Sequence, residues 1–376
     1  MPDQQHTGAN PVRISPEDMK DLARGAAFLG TGGGGDPYIG RLMAENAIRD
    51  FGMPEIINVD DLDDTACVFI AAMVGAPTVM VEKCASGDDI DLAVKRLGEI
   101  IGKQPDAITS AEIGGVNSTL PIVAAARLGL PLLDCDGMGR AFPEIQMVTF
   151  NIYGVSPTPA VIVNEHLETV IVETEDPKRA ENIIRAAAIQ MGLSVMFSAY
   201  SMTGRQIKET SVRGTLSIAL DIGRTIRSGR ENGEPVEALL RYLRATDYYQ
   251  RCKVLMDGKI IDVSRKTDKG WSVGHCVVGS LADPASCLTI TFKNEYLVAR
   301  QNGRTVAIVP DLICMVDSET AEPITVETLR YGQRVKVLGM SAAPLLRTPA
   351  ALAVVGPEEF GIEEQFQPIE AIHDDI

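Results

Sequence analysis

Apolar residues along this chain change period several times, and the changes mark its elements. Met19, Leu22, Ala23, Ala26 and Ala27 recur at helical spacing behind Ser15-Pro16-Glu17, which reads as an N-cap, a first-turn proline and a favourable acid. Asp36-Pro37 repeats that start ahead of a second stripe at Ile39, Leu42, Met43 and Ala47. Apolar runs at 67–74, 107–110 and 132–134 then alternate with helical patterns at 88–101 and 117–128, a βαβ rhythm that predicts a mainly parallel sheet. Short extended runs follow at 148–153, 160–164 and 169–173, then a helix over 177–191 capped by Asp176. A helical region over 211–243 is broken by the turn-like stretch 228–233.

After Tyr249 the pattern turns to strands, at 253–255, 271–278, 287–292, 296–300, 306–309, 312–316 and 333–338, with Asn302-Gly303 as a hairpin turn. The fold class expected is α/β. A mainly parallel α/β domain spans 1–170, and an α+β domain spans 171–376, closing after about residue 250 as a β-rich sheet or barrel. At 376 residues the chain is also too long for one typical core.

Between the first two helices lies FLGTGGGGDPYIG, residues 28–40, with six glycines. Ordering so much glycine is costly, so the run should serve as a phosphate cradle, a close-packed backbone crossing or a linker. A dinucleotide fingerprint follows a strand, and this loop follows a helix. A Walker loop ends in Lys-Ser/Thr, and here Asp36 follows, so no nucleotide cofactor is expected.

Ligands of open α/β sheets bind beyond the carboxyl ends of the strands, which directs attention to the loops at 75–77, 110–115 and 134–140. In DCDGMGRAFPE, residues 134–144, Asp134 and Asp136 alternate around Cys135, so a persisting strand would turn both carboxylates to one side and the thiol to the other. The two acids suit a divalent metal or acid-base work, or they cap the next helix and pair with Arg140. Cys135 would need a base or cation to become a nucleophile, and its acidic neighbours work against that. Glu112 is a third carboxylate candidate, and Asn117 either caps the next helix or contacts a ligand. The stretch 199–215, with Arg205, Lys208 and Arg213, reads as a solvated turn feeding a helix or as an anion-binding lip.

Charge and composition narrow the partners. The formal net charge of -16 and the lack of basic runs argue against nucleic acid and anionic membranes. Seven scattered cysteines without a C-x-x-C pair read as reduced cytoplasmic thiols. The polar N-terminus lacks a signal-like apolar core, and no later run is long enough to span a membrane. His6, His166, His275 and His373 lie far apart, so a metal, if bound, would take oxygen ligands.

Taken together, GTGGGGDPYIG, SAEIGGVNS, DCDGMGRAFPE and the later PDLICMVDSETAEPI, LRYGQRVKV and VGPEEFG resemble the S-methyl-thiohydantoin desulfurase-like family of bacteria and archaea, over about residues 15–361. That resemblance implies a two-domain enzyme acting on small cyclic ureides beside hydantoinase and oxoprolinase pathways. Water would replace a methylthio group to give hydantoin and methanethiol. The residues expected to serve are Asp134 or Asp136 as base or metal ligand, Glu112 as partner and Arg140 as orienter. The backbone of Gly32, Gly33, Gly34 and Gly35 would line the pocket, with Asp36 and Asn117 beside it. Rival readings are a non-catalytic small-molecule-binding subunit and a ring-opening amidohydrolase, the latter poorly served by so few histidines. A homo-oligomer is expected.

Overall fold

The computed structural model describes residues 12–80, 82–83, 85–268 and 271–376; His6, the polar N-terminal stretch and Cys84 lie outside them. The chain up to residue 213 supplies nine strands: β1 (Ile56–Ile57), β2 (Cys67–Gly75), β3 (Ala107–Thr109), β4 (Leu132–Leu133), β5 (Cys135–Asp136), β6 (Ala160–Val163), β7 (Thr169–Val172), β8 (Ser194–Thr203) and β9 (Val212–Arg213). Seven of them form one sheet in the order β1-β4-β3-β2-β8-β6-β7. The expected parallel sheet is its first half, with β1, β4, β3 and β2 all parallel. Beyond β2 the sheet continues antiparallel through β8, β6 and β7. Covered on both faces, β2 is an unbroken apolar run, CVFIAAMVG, with Val68, Phe69, Ile70 and Ala71 fully buried. Side chains of the size of Phe69 or Ile70 contribute about 1.5–3 kcal/mol each on burial.

Strand β8 belongs to the stretch beyond residue 170 yet lies against β2 in the middle of this sheet. It closes at the capping box of helix Gly204–Thr210, where Thr203 and Gln206 satisfy each other's backbone N–H groups. The cations of the 199–215 stretch pair with surface acids, Lys208 with Asp64 at 2.8 Å and Arg213 with Asp60 at 2.7 Å. Residues 148–153, expected to be extended, instead form helix Thr149–Ile152. Thr149 N–H there donates to Gly137 C=O at 2.7 Å, so the segment folds beneath the 137–140 loop rather than joining a sheet.

The second half is the β-rich unit. Strands β10 (Cys252–Asp268), β11 (Trp271–Ser280), β12 (Cys287–Lys293), β13 (Glu295–Gln301), β14 (Arg304–Ile308), β15 (Leu312–Asp317) and β16 (Arg334–Met340) form one antiparallel sheet, order β14-β13-β12-β11-β10-β16-β15. It curls into a half-barrel. Asn302 and Gly303, both at positive φ, turn β13 into β14 as their sequence signals. A core of Val278, Ile290, Phe292, Tyr296 and Val337 fills it. Among the described residues no helix is long and apolar enough to cross a membrane.

Candidate active site

A cavity of about 770 Å³ lies between the two sheets. From the first half it is walled by the ends of β2 (Met73 to Gly75), by Ala111, Glu112 and Asn117 beyond β3, and by Gly32 to Gly35. From the second it is walled by Asn294, Glu295 and Val326. Loops beyond the strand ends do converge, as sheet topology requires.

The glycine loop joins these walls. Thr31 C=O accepts from Tyr296 N–H at 2.7 Å, Gly32 C=O from Val326 N–H at 2.8 Å, and Gly34 C=O from Val116 N–H at 2.9 Å. A Cβ on Gly32 would stand 2.5 Å from the Tyr296 ring, and one on Gly34 2.6 Å from Gly114 C=O, both at positive φ. A Cβ on Gly33 would run into the Glu295 carboxyl, and one on Gly115 into Gly34 C=O. The run is therefore a close-packed backbone crossing that also faces the cavity. Asp36 is exposed and accepts from Tyr38 N–H at 2.9 Å, starting the second helix as its sequence suggests.

Of the four glutamates that line the cavity, Glu112, Glu144, Glu295 and Glu327, two keep a buried oxygen without a protein partner. Glu112 is buried; Oε1 accepts from Asn117 Nδ2 at 2.7 Å, and Oε2 is buried with no protein partner. Burial pushes its pKa up from 4.5 to about 8, opposed by the Asn117 amide and, more weakly, by the Phe142 backbone N–H, with the charges of Glu295 and Asp136 adding to the shift. Glu295, at the start of β13, is 2% exposed, and its Oε2 is likewise buried without a partner. Burial raises it to about 7, against the pull of the Arg140 cation and the Gly34 N–H. Glu295 carries no motif in the sequence; its one local signal is the preceding Asn294 at positive φ, a turn residue between β12 and β13.

The 134–140 stretch is placed differently from its sequence expectation. The chain leaves the first sheet after β4, and β5 pairs with β9 instead, so Asp134 and Asp136 do not share a strand. Asp134 accepts from Ser217 N–H at 3.1 Å and from its hydroxyl at 2.5 Å, at the start of helix Thr215–Glu231. Asp136 is fully buried and holds the N–H groups of Ile113, Met138 and Gly139 at 2.8–3.0 Å; burial raises it to about 7 against those donors. Neither borders the cavity. Nor do they fit a metal: among the described residues no three His, Cys, Asp or Glu side chains stand together as a ligand set.

Cys135 also lies outside the cavity, its thiol beside Thr109 Oγ1 at 3.3 Å and pushed by burial up to about 12, the wrong direction for a nucleophile. Arg140 is wholly buried and pairs with neither aspartate. Its guanidinium donates to Pro310 and Asp311 carbonyls at 2.6 and 3.1 Å and to Thr31 Oγ1 at 2.9 Å, and covers the Phe142 ring at 4.4 Å. Burial lowers its pKa to about 10, so it remains a cation behind Glu295. Of the expected site residues, Glu112, Asn117 and the four glycines are brought together at the cavity, and Glu295 joins them.

A pair of buried carboxyls with raised pKa values, each keeping one unpartnered oxygen, is equipped to give and take protons at a small molecule in the cavity. Residues 17–174 match the S-Me-THD-like N-terminal domain and residues 175–369 the S-Me-THD-like C-terminal domain, and the chain belongs to this family. It is similar to a protein from Chromobacterium violaceum whose crystal structure is known, with 25% identity over 95% of this chain and 100% of that one, at a TM-score of 0.79. No curated protein matches it.

Proposed function

We propose that this protein is a hydrolase that removes a methylthio group from an S-methyl-thiohydantoin-type ring, releasing methanethiol and leaving the ring intact. The observation that carries the reading is the Glu112 and Glu295 pair lining the same cavity, each with an unsatisfied buried oxygen. Such oxygens are costly unless a proton or a ligand completes them.

Glu295, nearer the Arg140 cation, is the base, and Glu112 is the acid. Glu295 takes a proton from water as its oxygen bonds to the ring carbon bearing sulfur. Glu112 gives its proton to the adjacent ring nitrogen, and a neutral tetrahedral adduct forms. The C–S bond then breaks, sulfur takes the proton from Glu295, and the adduct hydroxyl returns one to Glu112 as it becomes the carbonyl. Both carboxyls end as they began. General acid and general base catalysis contribute about 10²–10⁴-fold each. A cytoplasmic homo-oligomer belongs to the same reading, the assembly to be checked by light scattering.

Incubation with S-methyl-thiohydantoins and hydantoins, followed by mass spectrometry, tests the reaction. Thiol release that is lost in E112Q and in E295Q supports it. Ring opening would instead make the protein an amidohydrolase, and full turnover in both variants would move the site elsewhere.

A further inference from the structure

Strand β3 accompanies β2 only from Val68 to Ile70, so by Met73 the edge of β2 has lost its neighbouring strand. Asn117 takes that place. Its Oδ1 accepts from Met73 N–H at 2.8 Å and its Nδ2 donates to Met73 C=O at 3.3 Å, a two-way match to the strand backbone. Turned over, the amide would set NH₂ against N–H and oxygen against C=O, so its orientation is fixed by the backbone it reads. The remaining Nδ2 hydrogen points to Glu112 Oε1 at 2.7 Å. Ser110 Oγ, bound to the carbonyls of both Glu112 and Asn117, ties the two residues' loop together.

In a carboxylic acid the carbonyl oxygen is the stronger acceptor, so a locked donor at one oxygen favours the proton on the other. We propose that Asn117 is a positioning residue that confines the Glu112 proton to Oε2, the oxygen without a protein partner, so that the site presents a fixed O–H donor to an acceptor atom of its ligand. Asn117 thus acts through Glu112, with its amide hydrogens spent on protein groups rather than on substrate. The ligand selected is one with an unprotonated sp² ring nitrogen where the donor reaches it. A ring bearing N–H at that position meets donor with donor until Glu112 ionises, so a C=N substrate and its N–H product are distinguished by one proton. This inference rests on the acid role given to Glu112 above. The charged groups that bear on that proton are Glu295 and Asp136.

Infrared spectra of the whole, unliganded protein test it without turnover. Below about pH 8 a protonated carboxyl C=O band should be present that E112Q removes, at the frequency of a carbonyl that accepts a hydrogen bond. Asn117→Asp keeps an acceptor for Met73 N–H and, when ionised, removes the donor to Oε1; the Glu112 band is read as the difference between N117D and the double variant E112Q/N117D. The band should then rise in frequency, and its titration midpoint should rise with it. A band at the free-carbonyl frequency in the wild-type protein overturns the proposal, even should N117D fail to fold, and so does a band that N117D leaves unmoved. If E112Q removes no band, Glu112 is ionised and the acid role falls as well. If the band behaves as expected while no methanethiol forms, the positioning stands and the reaction falls.

Discussion

Replacing Glu112 by glutamine should make the protein more stable, and more so as pH rises. In the folded chain Glu112 holds its proton to about pH 8, against 4.5 when unperturbed, whereas in the unfolded chain it ionises at its ordinary value. Below that ordinary value both states are protonated and the residue costs nothing. Between the two values the unfolded chain binds fewer protons, so stability falls as pH rises, and above about pH 8 the loss is complete. At about 1.4 kcal/mol per pH unit the ceiling is about 5 kcal/mol. Relaxation and water entering the open cavity should leave about 2–3 kcal/mol. Urea unfolding of wild type and E112Q at about pH 5 and about pH 9 reads the difference directly. E112Q should gain most of that stability only at the higher pH while losing turnover throughout. A difference that does not change with pH would refute both the burial argument and the protonated state of Glu112.

Further expectations concern the packing around the pair. Gly33→Ala should abolish turnover with modest loss of stability, because the Glu295 side chain can swing away from a new Cβ, whereas Gly115→Ala should unfold the loop, since the obstacle is Gly34 backbone; thermal melts and activity on both variants separate the two. Asp136→Ala should cost about 2–4 kcal/mol in urea unfolding by orphaning three buried N–H groups, and should lower activity through the Ile113 N–H it holds beside Glu112. Cys135→Ser should keep at least about half of wild-type activity, with alkylating agents leaving the native enzyme active, since the thiol is buried and firmly protonated; inactivation by alkylation at Cys135 would contradict this.

Much of the architecture can be read from the residues. Helical stripes before and after the glycine run, the parallel strands at 67–75 and 107–109, and the Asn302-Gly303 hairpin follow from period and turn chemistry alone. Strand β8 was hidden because SVMFSAYSMT mixes hydroxyls into an apolar run, and what makes it a strand is the long partner β2, far away in sequence. Glu112 and Asn117 drew attention because they sit beyond a strand end, and the glycines because ordering so many of them between two helices is costly. The aspartates of 134–136 misled because strand alternation holds only while one strand persists, and here the chain changes sheets between them. Glu295 could not be found by any local pattern: its chemistry arises when the second sheet presses it against Gly33 and Gly34, a contact the linear sequence does not announce.

The placement of β8 bears on how such a chain could be cut or recombined. The break between the two family segments falls after residue 174, ahead of the strand that fills the middle of the first sheet. A gene fragment ending there would encode a sheet split down its centre, with the apolar edge of β2 bare and prone to aggregation. Two separately translated halves would regain the sheet only by strand complementation. Shuffling halves among relatives would succeed only where β2 of one parent and β8 of the other had kept matching side chains along their shared register.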